Sequence, residues 1–483
     1  MPNAINKALS GHGFTGLNLP ARASAASIIS SLISKGGALL FTPFFTRLLT
    51  PEEYGSYSLF YSFLSVILIF ATLDICTGVF FRAYQKYKGR ERELMRSALY
   101  LILISSAITL GIFLLYTKAA NKAETFDGSN LLLVLYVLST AIVNLYLARC
   151  KFLYKYKLPT VVCIMQSILV PTLSLIALSL YPSSGGGRVF IRVSDGLLVT
   201  AAIAIPAFFI ILFSDGAAAI FKPSFEMIKY LLRLALPLLP YYVSMLLISS
   251  ADKIIIGATL PQGELGPYSL AYSLGWAIPG LIGGACQVLS PWIMRKVAAK
   301  NYKKVSRVCS AATSITGLAV LILLSLAPEA MSIAAPASYG DGLSTVYPVA
   351  LGAIPILPAS INASVSISKE RVLPLTLTGI SIGALNIALC LIFIPKFGTG
   401  AGAVITFLSY LCLFLLGRTL AEKEVRAALP LWDTLFKIAL CCTLGAIMFF
   451  VRELIAIRLI WAIVLGASLI FSLYNNRSLL KDT

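Results

Sequence analysis

The chain has 483 residues, of which 58% are apolar and 12% charged, with a formal net charge of +19. The apolar share, about 280 positions, matches roughly fourteen helical membrane spans of about 20 residues each. So few charges cannot cover a soluble protein of this length, which excludes a soluble enzyme and leaves little chain for large extramembrane domains.

Taken in chain order, apolar windows bounded by charge, proline and glycine predict helices over 24–47, 56–81, 98–117, 131–149, 158–181, 197–214, 228–256, 267–290, 308–327, 345–367, 372–394, 399–418, 433–451 and 456–474. Residues 1–20 lack a short apolar core with a cleavage site behind it, so no cleavable leader is expected. Pro237, Pro240 and Pro279 are the expected bending points of spans seven and eight. Nine cysteines lie mostly in apolar runs without C-x-x-C spacing, and His12 is the one histidine. Neither a metal site, a cofactor nor histidine-based catalysis is expected.

With the N-terminus inside, 27 of the 39 Lys and Arg residues fall in cytoplasmic segments and 8 in outer ones, among them Arg47, Arg188, Arg192 and Arg458. The alternation implies an even number of spans and both termini in the cytoplasm. Most of the +19 is therefore orientation, and no nucleic-acid partner is expected.

An internal repeat relates the halves. Glu53-Tyr54-Gly55-Ser56-Tyr57-Ser58-Leu59-Phe60-Tyr61-Ser62 and Glu264-Leu265-Gly266-Pro267-Tyr268-Ser269-Leu270-Ala271-Tyr272-Ser273 agree at seven of ten positions, offset by 211. Six spans per repeat is even, so both halves enter the membrane in the same direction. The expected fold is an all-α integral membrane protein: two parallel six-helix lobes (1–222 and 223–428) enclosing a cavity, then a helix pair (429–483).

Arg47-Leu48-Leu49-Thr50-Pro51-Glu52-Glu53-Tyr54-Gly55 resembles the signature loop of Wzx-type polysaccharide flippases, a branch of the multidrug/oligosaccharidyl-lipid/polysaccharide (MOP) exporter superfamily. Ala251-Asp252-Lys253-Ile254-Ile255-Ile256-Gly257, leading into Gly266-Pro267-Tyr268, resembles the middle block of that family. Lys369-Glu370-Arg371, Asn386, Ile394-Pro395-Lys396-Phe397-Gly398 and Gly400-Ala401-Gly402-Ala403 resemble its late block. The resemblance implies a V of two lobes around a cationic cavity in the bacterial cytoplasmic membrane. It implies a monomer that flips an undecaprenyl-diphosphate-linked oligosaccharide repeat unit to the outer leaflet, feeding a polysaccharide polymerase machinery. A lipid II flippase and a multidrug antiporter of the same superfamily are the alternatives. A membrane glycosyltransferase or polymerase is disfavoured by outer loops that lack clustered acids, His or Arg.

A sugar diphosphate crossing a water-poor region needs cations for its charge, and polar or aromatic side chains for its sugar. Lys35 in span one faces the cavity, pairs with Asp74 or snorkels. Arg47 and Arg233, at opposite ends of spans one and seven, receive the diphosphate or anchor their helices. Lys253 meets phosphate and Asp252 carries a coupling ion, or both join interhelical pairs near the outer interface. Asp74 is the other protonatable candidate, with a structural hydrogen bond as the alternative. Tyr57, Tyr61, Tyr241, Tyr268 and Tyr272 contact glycan or belong to the interfacial aromatic belt.

Overall fold

The computed structural model describes residues 40–76, 79–119, 129–152, 157–180, 186–213, 223–261, 263–280, 299–368, 372–421 and 430–475, and the single positions 33, 36, 37, 292, 293, 296, 297 and 426. Among them the secondary structure is helical without strands. Twelve helical segments are long and apolar enough to cross a membrane. The first predicted span is described mainly from residue 40 onward and the eighth only as far as residue 280, and each of the other twelve meets one of these segments.

In chain order the helices that matter are α1 (40–48), α2 (Pro51–Thr72), α3 (Val79–Lys86), α4 (Glu91–Ala119), α5 (Ser129–Phe152), α6 (Lys157–Leu180), α7 (Gly186–Leu212), α8 (Phe225–Thr259), α9 (Leu265–Gly275), α10 (Tyr302–Ser325), α11 (Ala327–Ala334), α12 (Leu343–Leu351), α13 (Ala353–Ser368), α14 (Val372–Phe397), α15 (Thr399–Thr419), α16 (Leu431–Phe450) and α17 (Ile455–Asn475).

Local chemistry sets several boundaries. Thr50 caps α2 and Glu53 returns the bond to the Thr50 amide, a capping box with Pro51 in the first turn. The second predicted span is continuous over 56–81, but its helix stops at Thr72. Leu73 and Asp74 adopt left-handed φ values of 49° and 45°, and helix resumes at Val79. The break releases the Ala71 carbonyl, which accepts from the Ser105 hydroxyl of α4 at 2.5 Å. In α6 a π-turn over Met165–Leu169 precedes Pro171, where the ring cannot donate to the ladder.

The expected bend at Pro237 and Pro240 is not a break, because α8 runs on as one helix of 35 residues. The Pro237 carbonyl accepts from Thr376 of α14 at 2.9 Å. Gly379 and Gly383 let α14 lie directly on Tyr241 and Ser244 of the same helix. The sixth predicted span begins at 197, whereas α7 starts at Gly186. Arg188, Arg192 and Asp195 therefore belong to a helix rather than an outer loop. Glycine and arginine near the chain's entry into α7 hid its first turns from a hydropathy window.

The interior is a set of apolar clusters rather than one core. The largest joins α1, α10, α12, α13, α16 and α17 through residues such as Phe45, Val320, Leu324, Ile354 and Cys441. A second packs Met227, Leu231, Ala235 and Leu238 of α8 against Ile75, Phe80, Leu99 and Ile102 from the first half of the chain.

A left-handed leucine is strained, and a β-branched residue there more so. Leu73→Val is expected to lower stability by about 1–2 kcal/mol, beyond the loss of one methylene. Thermal unfolding of the purified protein reads this directly, and an unchanged midpoint would show that the break is unstrained.

Candidate functional site

Positions related by the 211-residue offset can touch only on the axis relating the repeats, and two such pairs do touch. A Cβ added at Gly55 would lie 3.1 Å from the Gly266 nitrogen. One added at Gly263 would lie 2.9 Å from the Glu52 carboxylate. Gly266 is tighter still: its Cβ would sit 2.1 Å from the Pro51 carbonyl oxygen. The two copies of the repeat thus meet at their shared glycine, backbone against backbone.

Further contacts lock the same end. The Thr46 hydroxyl donates to the Ala334 carbonyl at 2.6 Å. The Tyr339 hydroxyl donates to Leu49 at 3.1 Å. Arg47 is exposed and donates to the carbonyls of Pro43 at 2.7 Å and Ile333 at 3.3 Å. It thereby ties α1 to the last turn of α11, where carbonyls lack intrahelical partners.

Below this seam, the first half presents a polar stripe. Arg188, Arg192, Gly196 and Thr200 recur every four residues and share one face of α7. Arg188 donates to the Leu48 carbonyl at 2.9 Å and lies 3.8 Å from the Glu53 carboxylate. Arg192 is sandwiched: its guanidinium carbon is 3.5 Å from the Phe45 ring centre and 3.8 Å from that of Tyr57. Tyr54 stands 5.9 Å away. At Gly196 the missing side chain admits the hydroxyls of Tyr61 and Tyr136, which bond each other at 3.0 Å. Tyr57 and Tyr61 are half-buried, with ring centres 4.7 Å apart.

The second half holds a different cluster. Asp252 is fully buried and accepts from the Tyr268 hydroxyl, from Thr406 at 3.4 Å and from the Lys253 amide at 2.7 Å. Gly402 of α15 leaves room for the Tyr268 hydroxyl and the Asp252 Cβ. Lys253 places its ammonium 4.2 Å over the Tyr272 ring, which stacks on Trp276. Asn386, also fully buried, donates to Ser409 at 2.9 Å. Tyr241 is buried beside Ala363 and Leu375.

The structure thus gathers Tyr57 and Tyr61 around Arg192, and Lys253, Tyr268 and Tyr272 around Asp252. It holds Arg47 at the seam, Tyr241 in a packed interface and Asp74 in the helix break. Arg233 is exposed on α8 without a hydrogen bond or ion pair among the described residues. Lys35 lies outside them. Sequence reasoning missed Arg192 because it counted the residue in a loop, although the four-residue spacing from Arg188 to Thr200 was present. No group of three metal-ligating side chains occurs among the described residues.

The energetics single out Arg192. At a helix centre an arginine costs about 2.5–3.5 kcal/mol on insertion scales, which is an upper bound for Arg192 in the second turn of α7, and each cation–π contact returns about 0.5–2 kcal/mol. Two rings therefore hold the charge in place, yet Nη1 remains buried without an acceptor among the described residues.

The chain matches the family model described as "Polysaccharide biosynthesis protein" over residues 21–297. No curated protein matches it. Among solved structures, the lipid II flippase MurJ in an inward closed conformation aligns at a TM-score of 0.62 with 14% identity, covering 95% of this chain and 99% of that one. A MATE transporter in complex with MaL6 aligns at 0.60 with 15% identity, over 88% of this chain and 97% of that one. A MOP superfamily transporter from Pyrococcus furiosus aligns at 0.58 with 16% identity, over 83% and 95%. At such identities the likeness is one of fold, which is that of the MOP transporters.

Proposed function

This chain belongs to the polysaccharide biosynthesis protein family, and from that premise we propose that it flips a lipid-linked oligosaccharide across the bacterial cytoplasmic membrane. The observation that carries this reading is the arrangement of cations. Arg192 and Arg233 lie on membrane helices without a carboxylate partner among the described residues, whereas the buried acid Asp252 is engaged by hydroxyls and Asp195 on α7 is the acid that keeps an oxygen without a partner among them. An anionic head group fits that balance better than a cationic drug does.

The cargo in this reading is an undecaprenyl-diphosphate-linked repeat unit, moved without covalent chemistry. Residues 1–222 and 223–428 act as the two lobes, with 429–483 as an appended helix pair and both termini in the cytoplasm. The seam at Gly55 and Gly266 closes the outer end, and rocking of the lobes opens it while the polyprenyl tail stays in lipid. Arg233 receives the diphosphate near the inner end. Tyr57 and Tyr61 offer rings and hydroxyls to the sugar. Asp252, charged or neutral according to its proton, is the coupling group.

Purified protein in vesicles should translocate a fluorescent undecaprenyl-diphosphate oligosaccharide faster than protein-free vesicles by at least tenfold. Lipid II and a cationic dye serve as competing cargoes. Uptake of the dye with no movement of either sugar diphosphate lipid would sink the proposal, and movement of lipid II alone would narrow the cargo to the peptidoglycan precursor.

A further inference from the structure

Arg192 is a fork held flat. Phe45 from α1 and Tyr57 from α2 cover the two faces of its guanidinium at 3.5 and 3.8 Å. Rings so placed bind the faces and leave the N–H edges, where a guanidinium makes its paired hydrogen bonds. One edge nitrogen, Nη1, is buried and has no acceptor among the described residues. The acids within reach of α7 do not supply one. Glu53 is spent on the Thr50 amide at 3.0 Å and on Arg188 at 3.8 Å. Asp195, three residues further along α7, makes no ion pair with Arg192, and its own Oδ2 is buried without a hydrogen bond. A charge fixed in place, desolvated at one edge and without an acid partner among the described residues is built to receive an anion from outside the chain.

Resting on the flippase reading, we infer that the Phe45–Arg192–Tyr57 stack is a receptor for an oxyanion of the cargo, a phosphate or a sugar carboxylate, docked edge-on beneath the outer seam. The placement couples the receptor to that seam. Phe45 directly precedes Thr46, which bonds Ala334 across the halves. Tyr57 follows two residues after Gly55, which touches Gly266. Phe45, Tyr57 and Arg192 all lie in the first lobe, and the Arg188 bond to the Leu48 carbonyl ties α7 to the end of α1, so the stack travels with its side of the seam as one unit. The hydroxyl pair of Tyr61 and Tyr136 lies one turn further from the seam, within the same stripe, where sugar hydroxyls would follow the anion. Lysine would not serve here, because a point charge lacks the flat fork that the two rings grip.

The test is binding to full-length protein in nanodiscs. The probes are undecaprenyl diphosphate against undecaprenol, and a glucuronate-bearing disaccharide against its glucose counterpart. Arg192→Gln should weaken one anionic probe at least tenfold and neither neutral one, with Arg192→Lys in between. Loss confined to undecaprenyl diphosphate assigns the site to the lipid-linker phosphate, and loss confined to the disaccharide assigns it to an acidic sugar. Unchanged affinity for both anionic probes overturns the inference. Should Arg192→Gln fail to fold, phenylglyoxal labelling of wild-type protein replaces it: one of the anionic probes must protect Arg192, and protection by neither overturns the site. The two readings fail separately. Arg192-dependent anion binding without any flipping sinks the flippase and leaves the receptor, whereas flipping with unchanged binding in Arg192→Gln does the reverse.

Discussion

Gly266→Leu is expected to slow transport about 5- to 150-fold while leaving the protein folded in the membrane. Its Cβ would lie 2.1 Å from the Pro51 oxygen and 2.8 Å from the Pro51 carbonyl carbon. Those are backbone atoms at the start of α2, and the capping box formed by Thr50 and Glu53 fixes them. On the opposite side α9 is held by a second close approach, where a Cβ at Gly342 would meet the Pro267 oxygen at 2.3 Å. Neither side can yield, so α2 and α9 must separate. Overpacking of this kind costs about 1–3 kcal/mol, which shifts a two-state equilibrium about 5- to 150-fold. A cycle that must visit the closed seam slows by a similar factor. Gly55→Ala, whose new atom would stand 3.1 Å from its neighbour, should cost less. Flipping rates in vesicles measure the effect. Cross-linking between cysteines placed at Leu59 and Gly257, which touch across α2 and α8, reports the seam itself. A parental flipping rate together with parental cross-linking in Gly266→Leu would rule out a seam built on this glycine.

Arg458→Met should destabilise the protein by about 1.5–3 kcal/mol, the range for hydrogen bonds to charged groups. Arg458 is 3% exposed and donates from Nη1 to the Ser325 carbonyl at 3.0 Å and to Glu329 at 2.5 Å. These bonds pin α17 to the junction of α10 and α11. Methionine fills the space but leaves a carbonyl and a carboxylate unmet. Acid adds a second signature. The Arg458 hydrogen bond holds the Glu329 carboxyl below the usual carboxylate range, against the opposing pull of burial. A depressed value means the contribution is complete above the unfolded value of about 4.3 and is lost as pH falls through the folded value. The unfolding midpoint of the wild-type protein should therefore decline below about pH 4.3, and that part of the decline should be missing in Arg458→Met. Equal midpoints at neutral pH would show that the pair adds nothing to stability.

Much of the architecture was legible because hydropathy is additive along the chain. Twelve of the fourteen windows meet helical membrane segments, and the repeat was visible as text. What misled the reading was charge at helix ends. Arg188 and Arg192 look like loop residues to a window that penalises each charge separately, and Arg458 is counted with the outer charges although it lies within the window 456–474. In the fold, aromatic rings, a main-chain carbonyl and a glutamate compensate them. The break at Leu73 was likewise illegible. Asp74 is the one charge in an otherwise apolar window, and only the backbone angles and the Ser105 hydroxyl that meets the freed carbonyl reveal the break.

The membrane class, the sites of most spans and the existence of two related halves follow from local composition or from self-similarity along the chain. Helix packing decided that the repeats meet glycine to glycine. It also decided that Asp252 is enclosed by Tyr268 and Thr406 while Arg192 keeps a buried nitrogen without an acceptor among the described residues. The physical reason is that burial and partnership depend on which helices become neighbours. Whether a charge is satisfied is a property of its surroundings, and those are assembled from residues far apart in the chain.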